Sequence, residues 1–220
     1  MRPPARAQCA PIAALLGGLA LAGPAAAATL AVQVAAPDGR AVPGAVISVQ
    51  PLEAAAHRPA PLQAVMDQVN RAFVPDVLVI PVGSTVQFPN SDSVSHQIYS
   101  FSPTKRFQLP LYRGKPYPPV HFDQAGVVTL GCNIHDEMVG YLLVTDAAYF
   151  GRTDAAGKWS AEVPGGRYHV TVWHPRLRDS DVGLGRDVTV AESERGELAL
   201  RLGKSLQPAP LTEHPHSWDH

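Results

Sequence analysis

The sequence predicts an all-β protein. Its apolar residues recur in short alternating runs, which is the period of a half-buried strand. The 220 residues include 22 Pro and 18 Gly, which interrupt helices and favour turns. An apolar content of 45% suffices for one or two packed domains. Lys and Arg (18) nearly balance Asp and Glu (19), so the overall charge gives no reason to expect a nucleic-acid partner.

Residues 1–28 are typical of a secretory signal peptide. Two arginines precede an apolar run from Ala10 to Leu21, and the small residues from Ala25 to Ala28 resemble a cleavage region. The apolar run is too short to span a bilayer, so no membrane span is expected. We expect a mature chain that starts near Thr29 and is located in the periplasm.

The first two strands are predicted at Thr29 to Ala35 and Ala45 to Val49, with a turn at Pro37 to Arg40. Their proximity in the chain predicts a β-hairpin, which cannot bury a core alone. Residues 57–64 are predicted to be a linker because the region is rich in Ala and Pro.

The middle of the chain contains further alternating or continuous apolar runs. Strands are predicted at Val77 to Ile80, Thr85 to Phe88, Ile98 to Ser102, Val127 to Leu130 and Val139 to Val144. Residues 103–119 are predicted to form a loop with four positive charges among aromatic residues. Such a segment is more typical of a solvated loop or a protein-docking edge than of a nucleic-acid site.

One cysteine of the mature chain requires an explanation. Cleavage would remove Cys9 and leave Cys132 unpaired in an oxidising compartment. Metal ligation is one explanation, because it protects a thiolate from oxidation. An inert buried thiol and an intermolecular disulfide are the alternatives.

The residues around that cysteine favour the metal. Cys132, His135 and Met138 supply a thiolate, an imidazole and a thioether in one short turn between predicted strands. These soft and borderline ligands suit copper. A fourth ligand is expected from another strand, and His96 lies where a strand-like run resumes. Two His, one Cys and a weak axial Met are typical of a blue, or type 1, copper electron-transfer site.

These motifs resemble the cupredoxins over residues 65–146. The spacing Cys132-x-x-His135-x-x-Met138 is similar to that of amicyanin, and the run from Gly83 to Asn90 is similar to a cupredoxin strand and turn. The segment also resembles periplasmic cupredoxin-like proteins labelled methylamine utilisation proteins. The resemblance implies a Greek-key β-sandwich with one copper ion.

The resemblance also implies roles for residues around the ligands. The solvent-facing edge of His135 would be the electron port, and Asn90, Gln97 and Asn133 are candidates for hydrogen bonds that tune the site. Two acidic residues, Asp136 and Glu137, stand where amicyanin-like proteins present an apolar docking patch. Their charges favour a basic redox partner such as a c-type cytochrome.

Residues 147–203 resemble the carboxypeptidase regulatory-like sandwich, an Ig-like fold, because they carry its Asp, Gly and Pro-Gly turns. The N-terminal strands need partners and this half needs more strands. We therefore predict one small sandwich from residues 29–56 and 147–203, with the cupredoxin domain inserted between its halves. Residues 204–220 are Pro-rich, end in three His, and are predicted to be a disordered tail.

The leading hypothesis is a periplasmic carrier of single electrons rather than an enzyme. A copper-handling or storage protein is one alternative, supported by the His-rich tail. A binding or assembly module with an accessory copper site is another. An oxidase or reductase is ranked lower, because a further metal cluster needs closely spaced His, which the sequence has only in its tail.

Overall fold

The computed structural model describes residues 27–53, 58–177 and 184–208. These residues form β-strands and contain no helix, which confirms the all-β prediction. No described segment is a helix that could cross a membrane. The predicted signal peptide up to residue 26 and the three terminal His lie outside the described residues.

The strands, numbered in chain order, are β1 (Ala27–Ala35), β2 (Val46–Pro51), β3 (Gln63–Val65), β4 (Asp67–Val69), β5 (Ala72–Val74), β6 (Val77–Pro81), β7 (Ser84–Gln87), β8 (His96–Ser100), β9 (Phe107–Tyr112), β10 (Val120–Phe122), β11 (Gly126–Gly131), β12 (Val139–Thr145), β13 (Tyr149–Arg152), β14 (Lys158–Pro164), β15 (Gly166–Trp173), β16 (Leu184–Val190) and β17 (Arg195–Arg201). Several boundaries differ from the prediction by one or two residues, as in β8, which spans His96–Ser100 instead of Ile98 to Ser102. β1 begins two residues before Thr29, and β3 begins inside the predicted linker.

Strands from both ends of the chain form two sheets around one core. Their orders are β14-β1-β17 and β13-β2-β15-β16. The buried residues between them include Leu30, Ile47 and Val170. Because each strand alternates apolar and polar residues, each sheet has one face that must be covered, and the other sheet covers it.

The predicted hairpin between the first two strands is wrong. β1 pairs with β14 on one side and with β17 on the other, whereas β2 lies between β13 and β15. Ala35 and Ala41 make an isolated bridge where the chain crosses between the sheets. Distant strands satisfy both edges of β1 and of β2, so neither strand needs the other.

Residues 204–208, the described part of the predicted tail, make contacts with the rest of the protein. Leu206 packs against the core formed by the terminal strands. The backbone N–H of Gln207 donates to the carbonyl of Arg176 at 2.9 Å. The first residues of this segment are therefore held by the sheets that precede them.

The middle strands form a second core. A five-stranded sheet in the order β6-β12-β11-β8-β9 and a three-stranded sheet in the order β10-β7-β3 contribute to it, beside the β4–β5 pair. Large buried side chains of this core include Phe88, Phe122 and Leu130. The five-stranded sheet carries two of the predicted ligands, His96 in β8 and Cys132 directly after β11.

Residues 103–119 are not the continuous loop that the sequence predicted. Phe107–Tyr112 forms β9, which pairs antiparallel with β8. Pro110 lies within this strand and cannot donate a backbone hydrogen bond. It is tolerated because β9 is the edge of its sheet.

The two cores meet through a small apolar contact. Val46, Val77 and Leu143 are buried together, and the rings of Tyr141 and Trp173 lie 5.8 Å apart between centroids. The outer face of β12 is therefore covered, whereas β8 and β9 lie at the opposite edge of the same sheet.

Candidate metal centre

Three of the four predicted ligands meet at one end of the five-stranded sheet. His96 is the first residue of β8, Cys132 follows the last residue of β11, and His135 lies in the turn to β12. β8 and β11 are antiparallel neighbours. The first residue of β8 and the last residue of β11 therefore lie at the same end of the sheet.

The three ligand atoms form a nearly equilateral triangle. The Nδ1 atoms of His96 and His135 lie 3.8 Å and 3.7 Å from the Sγ atom of Cys132, and 3.2 Å from each other. A point equidistant from three atoms so placed is about 2.1 Å from each, within the roughly 2.0–2.3 Å of metal–imidazole and metal–thiolate bonds. The residues therefore fit one transition-metal ion, and the donor set of two nitrogens and one thiolate suits copper.

The turn that carries His135 is closed by its own backbone. The N–H of Met138 donates to the carbonyl of His135 at 3.0 Å, and the N–H of Val139 donates to the carbonyl of Glu137 at 3.0 Å. His135 itself is half-buried, whereas Cys132 is buried. The turn thus places one imidazole between the interior and the solvent.

Met138 lies buried in the same core cluster as Cys132. The described cluster of ligand atoms contains His96, Cys132 and His135, each within 4.8 Å of the others. The part of Met138 as an axial ligand stays a prediction. Its burial three residues after His135 is compatible with that part.

His96 is held by Asp92, which the sequence analysis did not identify. The Nε2 of His96 lies 2.9 Å from Oδ2 of Asp92, and the two side chains are 0% and 8% exposed. Because a carboxylate accepts, we assign the imidazole proton to Nε2, which leaves the lone pair of Nδ1 toward Cys132. An acidic residue four positions before a predicted ligand was the available signal.

Asp92 is itself fixed by backbone donors. The N–H of Arg71 donates to its Oδ2 and the N–H of Ser93 to its Oδ1, each at 2.7 Å. The Arg71 hydrogen bond, followed by that of His96, holds the pKa of Asp92 well below its usual range. The carboxylate is therefore ionised at neutral pH.

The donor from Arg71 depends on a tight turn. Asn70 and Arg71 connect β4 to β5 with φ angles of 51° and 59°. Two consecutive residues with positive φ are typical of a two-residue hairpin turn. The short β4–β5 pair therefore supports the site through its turn.

The three predicted polar supports take different positions. Asn90 stabilises the loop, because its Nδ2 donates to the carbonyls of Val94 and Tyr112 at 3.0 Å and 2.9 Å. Its Oδ1 accepts the N–H of Asp92 at 3.0 Å. Gln97 follows His96 in β8, and alternation places it on the other face of the sheet. Asn133 is exposed.

Burial, followed by the neighbouring His96, lowers the pKa of His135. A neutral imidazole is the form that binds metal. Asp136 and Glu137, the two acidic residues of the turn, are exposed beside it. The candidate site therefore combines two buried predicted ligands, His96 and Cys132, with a third, His135, near a negatively charged surface.

Two histidines of the terminal strands lie away from the metal centre and have other partners. His169 Nδ1 contacts Asp187 Oδ1 at 2.6 Å. His174 Nδ1 accepts the N–H of Arg176 at 3.1 Å, and burial lowers its pKa to about 4.

No family model matches the chain, and no curated protein matches it. Among solved structures, it is similar to a purple cupredoxin from Nitrosopumilus maritimus at 30% identity and a TM-score of 0.34, over 37% of this chain and 99% of that one. It is similar to a reduced amicyanin variant at 19% identity and a TM-score of 0.34, over 44% and 99%.

A copper-containing nitrite reductase from Thermus scotoductus is similar at 30% identity and a TM-score of 0.36. This match covers 44% of the chain, which spans only 25% of that enzyme. Each of these likenesses is limited to less than half of the chain.

Proposed function

We propose that residues 65–146 form a cupredoxin domain that binds one type 1 copper ion and carries single electrons between redox partners in the periplasm. His96, Cys132 and His135 would be the strong ligands and Met138 the weak axial ligand. The triangle of two Nδ1 atoms and one Sγ atom is the observation that carries this proposal. When bound, copper would supply a one-electron redox centre.

The protein's task is to keep the ligand positions unchanged during transfer. His96 and Cys132 are buried at the ends of paired strands, and Asp92 fixes the ring of His96. The backbone hydrogen bond from Met138 to the carbonyl of His135 fixes the turn. A rigid ligand set requires little rearrangement when one electron is gained or lost, which favours fast transfer.

The half-buried edge of His135 is the proposed exit for electrons. Its chain neighbours Ile134, Asp136 and Glu137 are exposed. An apolar residue supplies contact area, and the carboxylates attract a basic surface. This arrangement suits a positively charged redox protein such as a c-type cytochrome.

Asp92 adds a negative charge behind the ligands. A carboxylate stabilises the more positive, oxidised state and lowers the reduction potential. We infer that Asp92 both orients His96 and tunes the potential.

The burial of the ligands favours a carrier over a copper-handling protein. A protein that hands its ion to a partner needs ligands that can be reached and exchanged. Here Cys132 and His96 are buried, and only His135 is near the surface. The tail His residues that supported copper handling lie outside the described residues.

We further propose that residues 29–56 and 147–203 form one Ig-like sandwich into which the copper domain is inserted. The shared core of β1, β2 and the C-terminal strands supports this division. The contact of Tyr141 with Trp173 would hold the two domains together.

The test is a visible and electron paramagnetic resonance spectrum of the copper-loaded protein. We expect an intense thiolate-to-copper band that is lost in Cys132→Ser, while the far-ultraviolet circular dichroism is unchanged. His169→Ala is the matched control, because its imidazole lies in the other sandwich, and it should keep the band. A parent spectrum without such a band, or a band that survives in Cys132→Ser, would reject the proposal.

A further inference from the structure

An aromatic pair lies on the outer face of the five-stranded sheet, near its β8–β9 edge. In β8 the buried residues His96, Ile98 and Ser100 alternate with outward residues, and Tyr99 is one of these. The rings of Tyr99 and Phe101 are 5.0 Å apart between centroids. Phe101 is 74% exposed, more than any other large apolar residue in the described chain. Such exposure of an aromatic residue indicates a contact surface.

The pair connects to the metal centre through a glycine. Tyr99 is directly opposite Gly131 in the β8–β11 register. A Cβ atom at position 131 would lie 2.7 Å from the Cζ atom of Tyr99 and 2.8 Å from its Oη atom. The ring of Tyr99 therefore packs directly against the backbone of Gly131, in space that the Cβ atom of any other residue would occupy. Gly131 is bonded to Cys132, so a short series of contacts leads from Phe101 to the thiolate.

This route is separate from the edge of His135 and differs from it in charge. Residues 97–120 contain four Lys or Arg and no Asp or Glu. Of these, Arg106, Arg113 and Lys115 are exposed. Continuing the register of Ser100 with Phe107 places Phe101 opposite Arg106. The extended register thus places the exposed ring near the charge of Arg106, which directly precedes the edge strand β9, whereas Arg113 and Lys115 follow that strand.

We propose that this aromatic-basic face, residues 99–101 and 105–115, docks a second redox protein whose contact surface is acidic. The opposite charges of this face and the His135 edge would keep the two partners apart, one acidic and one basic. Lys105 is ion-paired with Asp123 at 3.5 Å, so the positive charge that favours an acidic partner comes from the exposed Arg106, Arg113 and Lys115.

The electron step rests on the proposed copper function. The acidic partner, a one-electron donor, would lose one electron, and a cupric ion held by Cys132 would be reduced to the cuprous state by it, with Phe101, Tyr99 and Gly131 lying between the two. No covalent bond forms or breaks, and no proton moves.

The first test needs no copper, which separates it from the proposed function. Hexacyanochromate(III), a paramagnetic trianion, is added to the metal-free ¹⁵N-labelled chain. We expect selective line broadening of amides in residues 99–101, 106 and 113–115. Broadening spread evenly over the surface, or absent from this face, would overturn the proposal. If single-stranded oligothymidylate bound more tightly than an acidic protein, the face would be assigned to nucleic acid. That result would also overturn the proposal.

Charge reversal provides the matched comparison. Arg106→Glu with Lys115→Glu should abolish the selective broadening. Arg186→Glu with Arg201→Glu changes the net charge equally, at exposed residues of the other sandwich, and should preserve it. Equal effects of both double variants would show that only net charge matters, against the proposal.

The second test follows electron transfer in the copper-loaded protein by stopped flow. With hexacyanoferrate(II) as donor, the Arg106→Glu, Lys115→Glu variant should react about tenfold more slowly at low ionic strength, and salt should diminish the difference. Phe101→Ala should slow this donor but not hexaammineruthenium(II), a cation drawn to the acidic edge of His135. Because Phe101 is exposed, unchanged thermal unfolding is expected and is checked. Equal slowing of both donors would contradict a separate route.

Discussion

Asp92→Asn removes a charge from behind His96 while keeping the size of the side chain. The carboxylate oxygen is 2.9 Å from Nε2 of His96. With the width of the imidazole ring and a metal–nitrogen bond added, a bound ion would be about 7 Å away. At an effective dielectric constant of about 20, a unit charge at that distance contributes about 2 kcal/mol. For a one-electron couple this is on the order of 100 mV.

We therefore expect the reduction potential of Asp92→Asn to rise by roughly 100 mV, measured by voltammetry of the copper-loaded protein. Asp67→Asn is the matched control. Asp67 lies in the same region and accepts hydrogen bonds from Ser91, but it has no contact with His96. The reduction potential of Asp67→Asn should change several-fold less than that of Asp92→Asn. An unchanged or lowered potential in Asp92→Asn, or an equal rise in Asp67→Asn, would show that the charge of Asp92 does not set the reduction potential.

Three further predictions concern the rest of the molecule. Gly131→Ala should destabilise the metal-free chain by about 1–3 kcal/mol in urea unfolding, because its Cβ meets the ring of Tyr99, whereas Gly203→Ala, with open space around it, should not. Met138→Leu conserves core volume, so unfolding should change by less than about 1.5 kcal/mol while the reduction potential shifts; an unchanged potential would exclude Met138 as a ligand. His174 has a pKa lowered from 6.5 to about 4, so the unfolded state binds more protons in that interval and stability should fall as pH falls through it. The free energy of unfolding, measured by urea titration at several pH values, should depend less steeply on pH in His174→Asn than in the parent. An identical pH dependence would contradict this.

The ligand spacing was visible in the sequence because the metal chemistry is local. Cys132, His135 and Met138 lie in one turn, and the apolar runs on both sides predict strands. The prediction that His96 joins them needed only that a strand begins there. The structure brings His96, Cys132 and His135 together, and Met138 is buried in the same core as Cys132.

The support of the site was not predictable in the same way. Asp92 depends on the backbone of Arg71, 21 residues away, and on the positive φ angles of a turn. Neither the long-range hydrogen bond nor the turn conformation leaves a pattern of apolar residues that a sequence could reveal. The contact of Tyr99 with Gly131 likewise depends on the register between two strands, which a single strand's pattern does not specify.

The errors in the fold have the same origin. An alternating run predicts a strand but not its partner, so two consecutive runs indicated a hairpin although β1 and β2 belong to different sheets. The loop predicted for residues 103–119 missed β9, whose edge position tolerates Pro110. Pairing between distant segments decided both cases.

X-ray absorption at the copper edge of the metal-loaded protein tests the ligand set most directly. One sulfur and two nitrogen ligands are expected at roughly 2.0–2.3 Å, in agreement with the positions of Cys132, His96 and His135. A first coordination shell of nitrogen and oxygen alone, without a short copper–sulfur distance, would contradict the account.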